Sequence, residues 1–357
     1  MSRAIAAPAP HAPPPARRGG RRPARAAWAA IALIPALFAV CLAAVTVGPA
    51  GLLPTDVLAS LLAHVGIGTS PLTPLQDAIV WELRLPRVAT AAAVGAGLAV
   101  CGVVMQAVTR NSLADPYLLG LSSGASVGAV LVLVLGVGVF LPVAAFIGAL
   151  AALVATLGLA RAAGDLSPTR TVLAGLAVSA VFGAITSLVI FWSATGDSYR
   201  EILNWLLGSL AGTDWTSVAI SGIALVVIGI PLLASARTLD AFAFGDTAAA
   251  ALGIHVARSR MLLLGATALL TGALVSVSGS IGFVGLILPH AVRLVVGTRH
   301  RALLPLSALA GAVFLVLADT GARTLFDPRE LPVGILTALV GGPVFALLML
   351  RRSGRDA

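Results

Sequence analysis

The residues able to do chemistry are few and narrow in type. The 357-residue chain carries 23 basic residues, all of them arginine, against 14 acids, five histidines and two cysteines. Without lysine there is no G-x-x-x-x-G-K phosphate loop, so the chain is not itself a P-loop ATPase. Schiff-base chemistry is excluded for the same reason. No H-E-x-x-H occurs, no His/Asp/Glu constellation marks an enzyme, and no metal-ligand set is present. Cys41 and Cys101 sit in apolar stretches outside any C-x-x-C pair and read as small packing residues. The chemistry that remains is arginine's: a rigid, permanently charged fork that grips carboxylates bidentately. Ser122, Ser123, Ser126, Ser179, Ser187, Thr271, Ser276 and Ser278 lie in apolar runs. They can line a polar pathway or return hydrogen bonds to their own helices.

These residues must be positioned by membrane helices. Hydrophobic residues make up 59% and charged residues 10%, where a soluble domain carries about 25% charge. The chain reads as an all-α polytopic membrane protein. Ten apolar runs are expected as spans, at 26–47, 85–108, 116–137, 140–160, 171–192, 214–233, 260–278, 281–296, 302–320 and 331–350. Residues 1–25 form a disordered basic tail, 26–352 the transmembrane domain and 353–357 a second tail. The twin arginines before the first run resemble an export signal, but the run is long enough to span and reads as uncleaved. With both termini cytoplasmic, 18 arginines fall inside. Only Arg84, Arg87, Arg200, Arg323 and Arg329 fall outside, as the positive-inside rule requires. The net charge of +9 is scattered between apolar runs, which argues against nucleic acid.

The runs lack internal charge: none lies between Arg87 and Arg110, or between Arg301 and Asp319. Proton- or sodium-coupled carriers need ionisable groups at depth, so a secondary carrier is disfavoured and energy must come from another subunit. The stripe Gly120-x-x-x-Gly124-x-x-x-Gly128 permits close helix approach. Thr55-Asp56 caps an amphipathic outer helix, and a second short helix is expected over Tyr199–Leu207. In the long inner loop 235–258, Gly245-Asp246 opens an alanine helix that Gly253 ends.

Four stretches go beyond composition. They are Arg84-Leu-Pro-Arg87; Gln106 with the run Arg110 to Gly120; Trp205-Leu-Leu-Gly-Ser209; and Gly282 to Arg293 with Glu330-Leu-Pro-Val-Gly334. In order and spacing, over about residues 80–352, they resemble the FecCD family, permeases of ATP-binding-cassette importers for iron–siderophores, haem and vitamin B12. On this resemblance the tail and first span lie outside the signature. It implies a ten-helix permease of the vitamin B12 importer type (a type II importer) in a bacterial cell membrane. It also implies a homodimer or heterodimer, two cytoplasmic ATPases that use the ATP, and an extracytoplasmic binding protein. The chain itself would hold no cofactor and catalyse nothing. The cargo stays open between metal chelates and another bulky cofactor or precursor such as a deazaflavin.

The resemblance also implies residue roles. Arg84, Arg87 and Arg323 would pair with glutamates of the binding protein. Gly245, Asp246, Ala249, Leu252 and Gly253 would form the coupling helix that enters a cleft on the ATPase. Asn111 and Leu113, with Pro168 and Thr169, would constrict the inner end of the pathway. Ser112 and Pro168 depart from the usual family residues there, a proline and a hydroxyl residue.

Overall fold

The computed structural model describes residues 21–136, 140–193 and 196–353, and every regular element among them is helical. Residues 1–20 of the expected tail, and 354–357, lie outside the described residues. The helices are α1 (Arg21–Thr46), α2 (Pro54–His64), α3 (Pro74–Thr109), α4 (Leu121–Leu135), α5 (Leu141–Ala162), α6 (Pro168–Ser193) and α7 (Gly196–Leu206). They continue with α8 (Trp215–Ala234), α9 (Ala236–Phe242), α10 (Asp246–Ala251), α11 (Val256–Ser278), α12 (Val284–Val296), α13 (His300–Thr324) and α14 (Val333–Ser353). Seven are long and apolar enough to cross a bilayer, and α4, α12 and the apolar part of α14 are shorter. Together these ten occupy the ten expected runs.

Helix α3 forms the centre of the bundle. Of its most apolar window 83% is buried, against 11% for α1 at the edge. Small residues explain the difference. Gly95 lies against the backbone of Gly311 in α13, and Gly102 against that of Gly285 in α12, so close that a Cβ on either would overlap it. Lipid removes the hydrophobic drive between helices, and close packing supplies it instead. The glycine stripe of α4 works the same way, with Gly124 on Gly148 and Gly128 on Ala144 of α5.

Helix α12 is short because the chain before it is not helical. Residues 279–282 instead bond across the bundle: the Ile281 N–H donates to the Tyr117 hydroxyl (3.2 Å), which donates back to the Ile281 carbonyl (3.0 Å), and the Ser122 hydroxyl donates to Ser280 Oγ (2.7 Å). Irregular backbone at membrane depth needs such protein partners. Within α12, Pro289 has no N–H to offer the Gly285 carbonyl. The buried Gln106 of α3 takes its place, its amide donating to the carbonyls of Leu286 (3.2 Å) and Gly285 (3.5 Å), while its oxygen accepts from Arg293 Nη2 (2.9 Å). Gln106→Leu is expected to cost about 1–3 kcal/mol, seen as a lower melting temperature in detergent. An unchanged melting temperature would show that the carbonyls find other donors.

Several sequence expectations are adjusted. Helix α1 starts at Arg21, so the last five residues assigned to the disordered tail are helical. Helix α2 is capped at Leu53 with no side-chain bond; Pro54 pre-sets its first turn, and Thr55 merely donates to Asp56 (3.2 Å). Helix α13 runs to Thr324, which places Asp319 inside the helix rather than at its border. The RLPR arginines likewise lie within α3, which begins at Pro74. Ser126, Ser187, Ser276 and Ser278 return hydrogen bonds to their own helices, whereas Ser122 reaches Ser280 of the α11–α12 link (2.7 Å).

Candidate functional site

Two charged clusters lie along α3, one around Arg84–Arg87 and one at its C-terminal end, separated by the rise of Leu85–Thr109, or about 37 Å. The first brings Arg84, Arg87 and Arg323 together on a cleft of about 420 Å³ that Gly48, Asp327 and Glu330 also line. None of the three guanidiniums is idle. Arg84, only 7% exposed, donates to the carbonyls of Val45 (2.8 Å) and Thr46 (3.0 Å). Arg323 donates to the Ala44 carbonyl. Both therefore cap the last turn of α1, where carbonyls lack helical donors and the helix dipole favours a cation.

Arg87 is saturated by carboxylates. Its Nε and Nη2 form a fork on Asp319, each at 2.9 Å, and its Nη1 meets Glu330 Oε2 at 2.7 Å. The Asp319 side chain is 2% exposed and the Glu330 side chain 47%. Asp319 is thus the buried half of the clamp, and Glu330 the solvent-accessible half. Arg84 ends a wider, π-type turn over Ile79–Arg84. Such a turn re-aims side chains and often marks a functional position.

The second cluster surrounds the inner loop. Helices α9 and α10 are joined through Gly245, whose φ of 96° suits glycine, and Gly253 ends the segment at φ 83°. Ala249 is fully buried and seats α10, while Leu252 is 68% exposed. Phe244, unnoticed in the sequence, is 77% exposed beside it, whereas Phe242 two residues earlier is buried; an aromatic directly before the Gly245 turn was the available signal. Asp246 Oδ1 lies 2.8 Å from Arg260 Nη2 and 3.9 Å from Arg110 Nη2.

The gate candidates sit in turns held by local bonds. The Asn111 carboxamide oxygen accepts from the Leu113 N–H (2.9 Å), leaving Leu113 exposed. Pro168 opens α6, a position that suits a residue lacking an N–H. Thr169 follows it in the first turn. Before it, Asp165 accepts from the Ser167 N–H and pairs with Arg170 Nη1, both at 2.9 Å. Ser167, and then Arg170, hold this carboxyl below its ordinary range. Among the described residues, no three His, Cys, Asp or Glu side chains gather to hold a metal.

A profile of the FecCD transport family matches residues 36–351. The chain belongs to the FecCD transport family. The match begins inside α1 and takes in the second half of the first span, which the sequence expectation had left outside the signature. Among FecCD relatives, the chain is 45% identical to the ABC transporter permease protein YvrB of Bacillus subtilis, over 82% of this chain and 86% of that protein. It is 46% identical to the cobalamin import system permease protein BtuC of Halobacterium salinarum, over 78% of this chain and 74% of that one. It is 42% identical to the hemin transport system permease protein HmuU of Yersinia pestis, over 78% and 86%. A solved structure described as an inward-facing metal-chelate type ABC transporter superposes with a TM-score of 0.78 at 32% identity, covering 90% of this chain and 98% of that chain. As a FecCD protein the chain is a multi-pass membrane permease, in keeping with its ten apolar helices.

Proposed function

We propose that this permease is the translocation subunit of an importer for a metal–tetrapyrrole chelate, of the cobalamin or haem class. The similarity to both BtuC and HmuU, over about three quarters of the chain, carries the reading. Two copies of the chain, or one copy and a related permease, enclose the path. Two cytoplasmic ATPases hydrolyse ATP and switch access from one side to the other. An extracytoplasmic binding protein delivers the cargo and offers carboxylates to the cleft of Arg84, Arg87 and Arg323. There an incoming glutamate displaces Glu330 from Arg87.

The exposed pair Phe244 and Leu252 fits an apolar cleft on the ATPase, with Ala249 seating the coupling helix beneath them. Asn111, Leu113, Pro168 and Thr169 form the inner constriction.

Proteoliposomes holding the chain, its ATPase and its binding protein test the reading. ATP-dependent accumulation of cobalamin or haem is expected, and Leu252→Asp with Phe244→Asp should lower ATPase capture and uptake by about tenfold or more. ATP hydrolysis with uptake of neither chelate would reject the cargo class. Undiminished capture by the double variant would reject the coupling surface.

A further inference from the structure

Arg260 is a buried cation with little support. Its side chain is 8% exposed, its Nε has no hydrogen-bond partner, and its guanidinium lies 5.5 Å above the buried Phe242 ring. Its carboxylate partner, Asp246, does not belong to a spanning helix but to α10, a six-residue helix seated through Ala249. A charge this enclosed is strongly destabilised when its partner leaves. Helix α10 can therefore shift only if Arg260 follows it or, where Asp246 passes to another cation, into a state that strands Arg260 and is pulled back.

The other cation is already in place. Arg110 Nη2 stands 3.9 Å from the same Asp246 oxygen, on a side chain that is 46% exposed. Its Nη1 lies in van der Waals reach of Gly245, 3.3 Å from where a Cβ would stand. Arg110 also holds an unusual backbone position: it is the left-handed cap of α3, at φ 53°. It directly precedes the Asn111 turn that presents Leu113. One carboxylate on α10 thus faces a buried cation on α11 and a half-exposed one at the root of the inner turn.

We propose that Asp246 is a positioning residue that transmits movement of α10 to the Asn111–Leu113 turn, by passing its carboxylate between Arg260 and Arg110. This rests on the reading of α10 as the ATPase-contacting helix. When α10 is drawn toward the ATPase, Asp246 leaves Arg260 and tightens on Arg110, which pulls the cap of α3 and the turn behind it. When α10 returns, the buried Arg260 reclaims the carboxylate and resets the turn.

The test replaces the native Cys41 and Cys101 by alanine and places a single cysteine at the turn (Leu113→Cys), in the complex of the chain with its ATPase, reconstituted in nanodiscs. A bulky maleimide reports its labelling rate with and without ATP, and hydrolysis is measured in the same preparation. The parent should show an ATP-dependent change of about tenfold, within the usual range for coupled sites. Asp246→Asn and Arg110→Gln should bring the ratio to about one for the same ATP hydrolysed, and Asp246→Glu should recover it. Should Asp246→Asn fail to assemble, Arg110→Gln decides the matter, because it leaves the Asp246–Arg260 pair intact. An undiminished ratio in Arg110→Gln, or an ATP-independent rate in the parent, would overturn the proposal. Loss of ATPase capture in Leu252→Asp beside an undiminished ratio in Arg110→Gln would reject the relay while leaving the coupling surface standing.

Discussion

Asp319→Ala should destabilise the permease by about 3–5 kcal/mol, the cost of stranding a buried charge. Arg87 keeps an 88% buried side chain after the change, and only the half-exposed Glu330 remains to balance it. Neighbouring Arg323 already has a buried Nε without a partner, so no local group can absorb the loss. A deficit of that size approaches the whole stability of many domains. The apparent melting temperature in detergent and the monodisperse fraction after extraction should both fall sharply. The double replacement Arg87→Leu with Asp319→Leu should recover most of the loss, because it removes both charges rather than orphaning one. That double variant also separates two roles. It should be stable yet bind the binding protein weakly, whereas Arg87→Glu alone confounds docking with a broken clamp. If Asp319→Ala melts with the parent protein, the clamp is not a structural element and Arg87 is held by Glu330 alone.

The second large effect is expected from Gly102→Leu. At this point α3 meets the Gly285 backbone of α12 with no room for a Cβ. The obstacle is main chain on both sides, so no side-chain rotation relieves it, and the two helices must part. Separation also breaks the Gln106 bridge to the Leu286 carbonyl and to Arg293. Overpacking in a core that can adjust costs about 1–3 kcal/mol; here the cost should exceed that range and abolish the folded product. Protease resistance of the detergent-solubilised chain is the measurement. Gly102→Ala should be a milder form of the same defect, and Gly102→Leu recovered at parental yield would refute the close approach.

The architecture was legible because bilayer insertion is a one-dimensional problem. Length, apolarity and arginine placement sufficed to locate all ten apolar helices, including α12, whose Gly282, Gly285 and Pro289 marked it as irregular. Helix ends were less legible. The expected run ended at residue 320, just past Asp319; α13 continues to Thr324, and Asp319 is carried inside it because Arg87, far away in sequence, neutralises it. The cap of α2 was misplaced because Pro54 starts a helix through its own fixed φ, without a side-chain bond.

The arginines divide along the same line. Sequence alone determined that this is a lysine-free, polytopic membrane chain without a G-x-x-x-x-G-K phosphate loop. It also set Arg84, Arg87 and Arg323 apart by an expected outer position, because composition and charge bias act on the chain as a string. Only the tertiary structure decided what each arginine touches. Two cap the end of α1, one is clamped between Asp319 and Glu330, and Asp246 is shared between Arg260 and Arg110. Those pairings join residues up to 279 positions apart. They depend on which helix faces come together, and that is set by three-dimensional packing rather than by any local pattern.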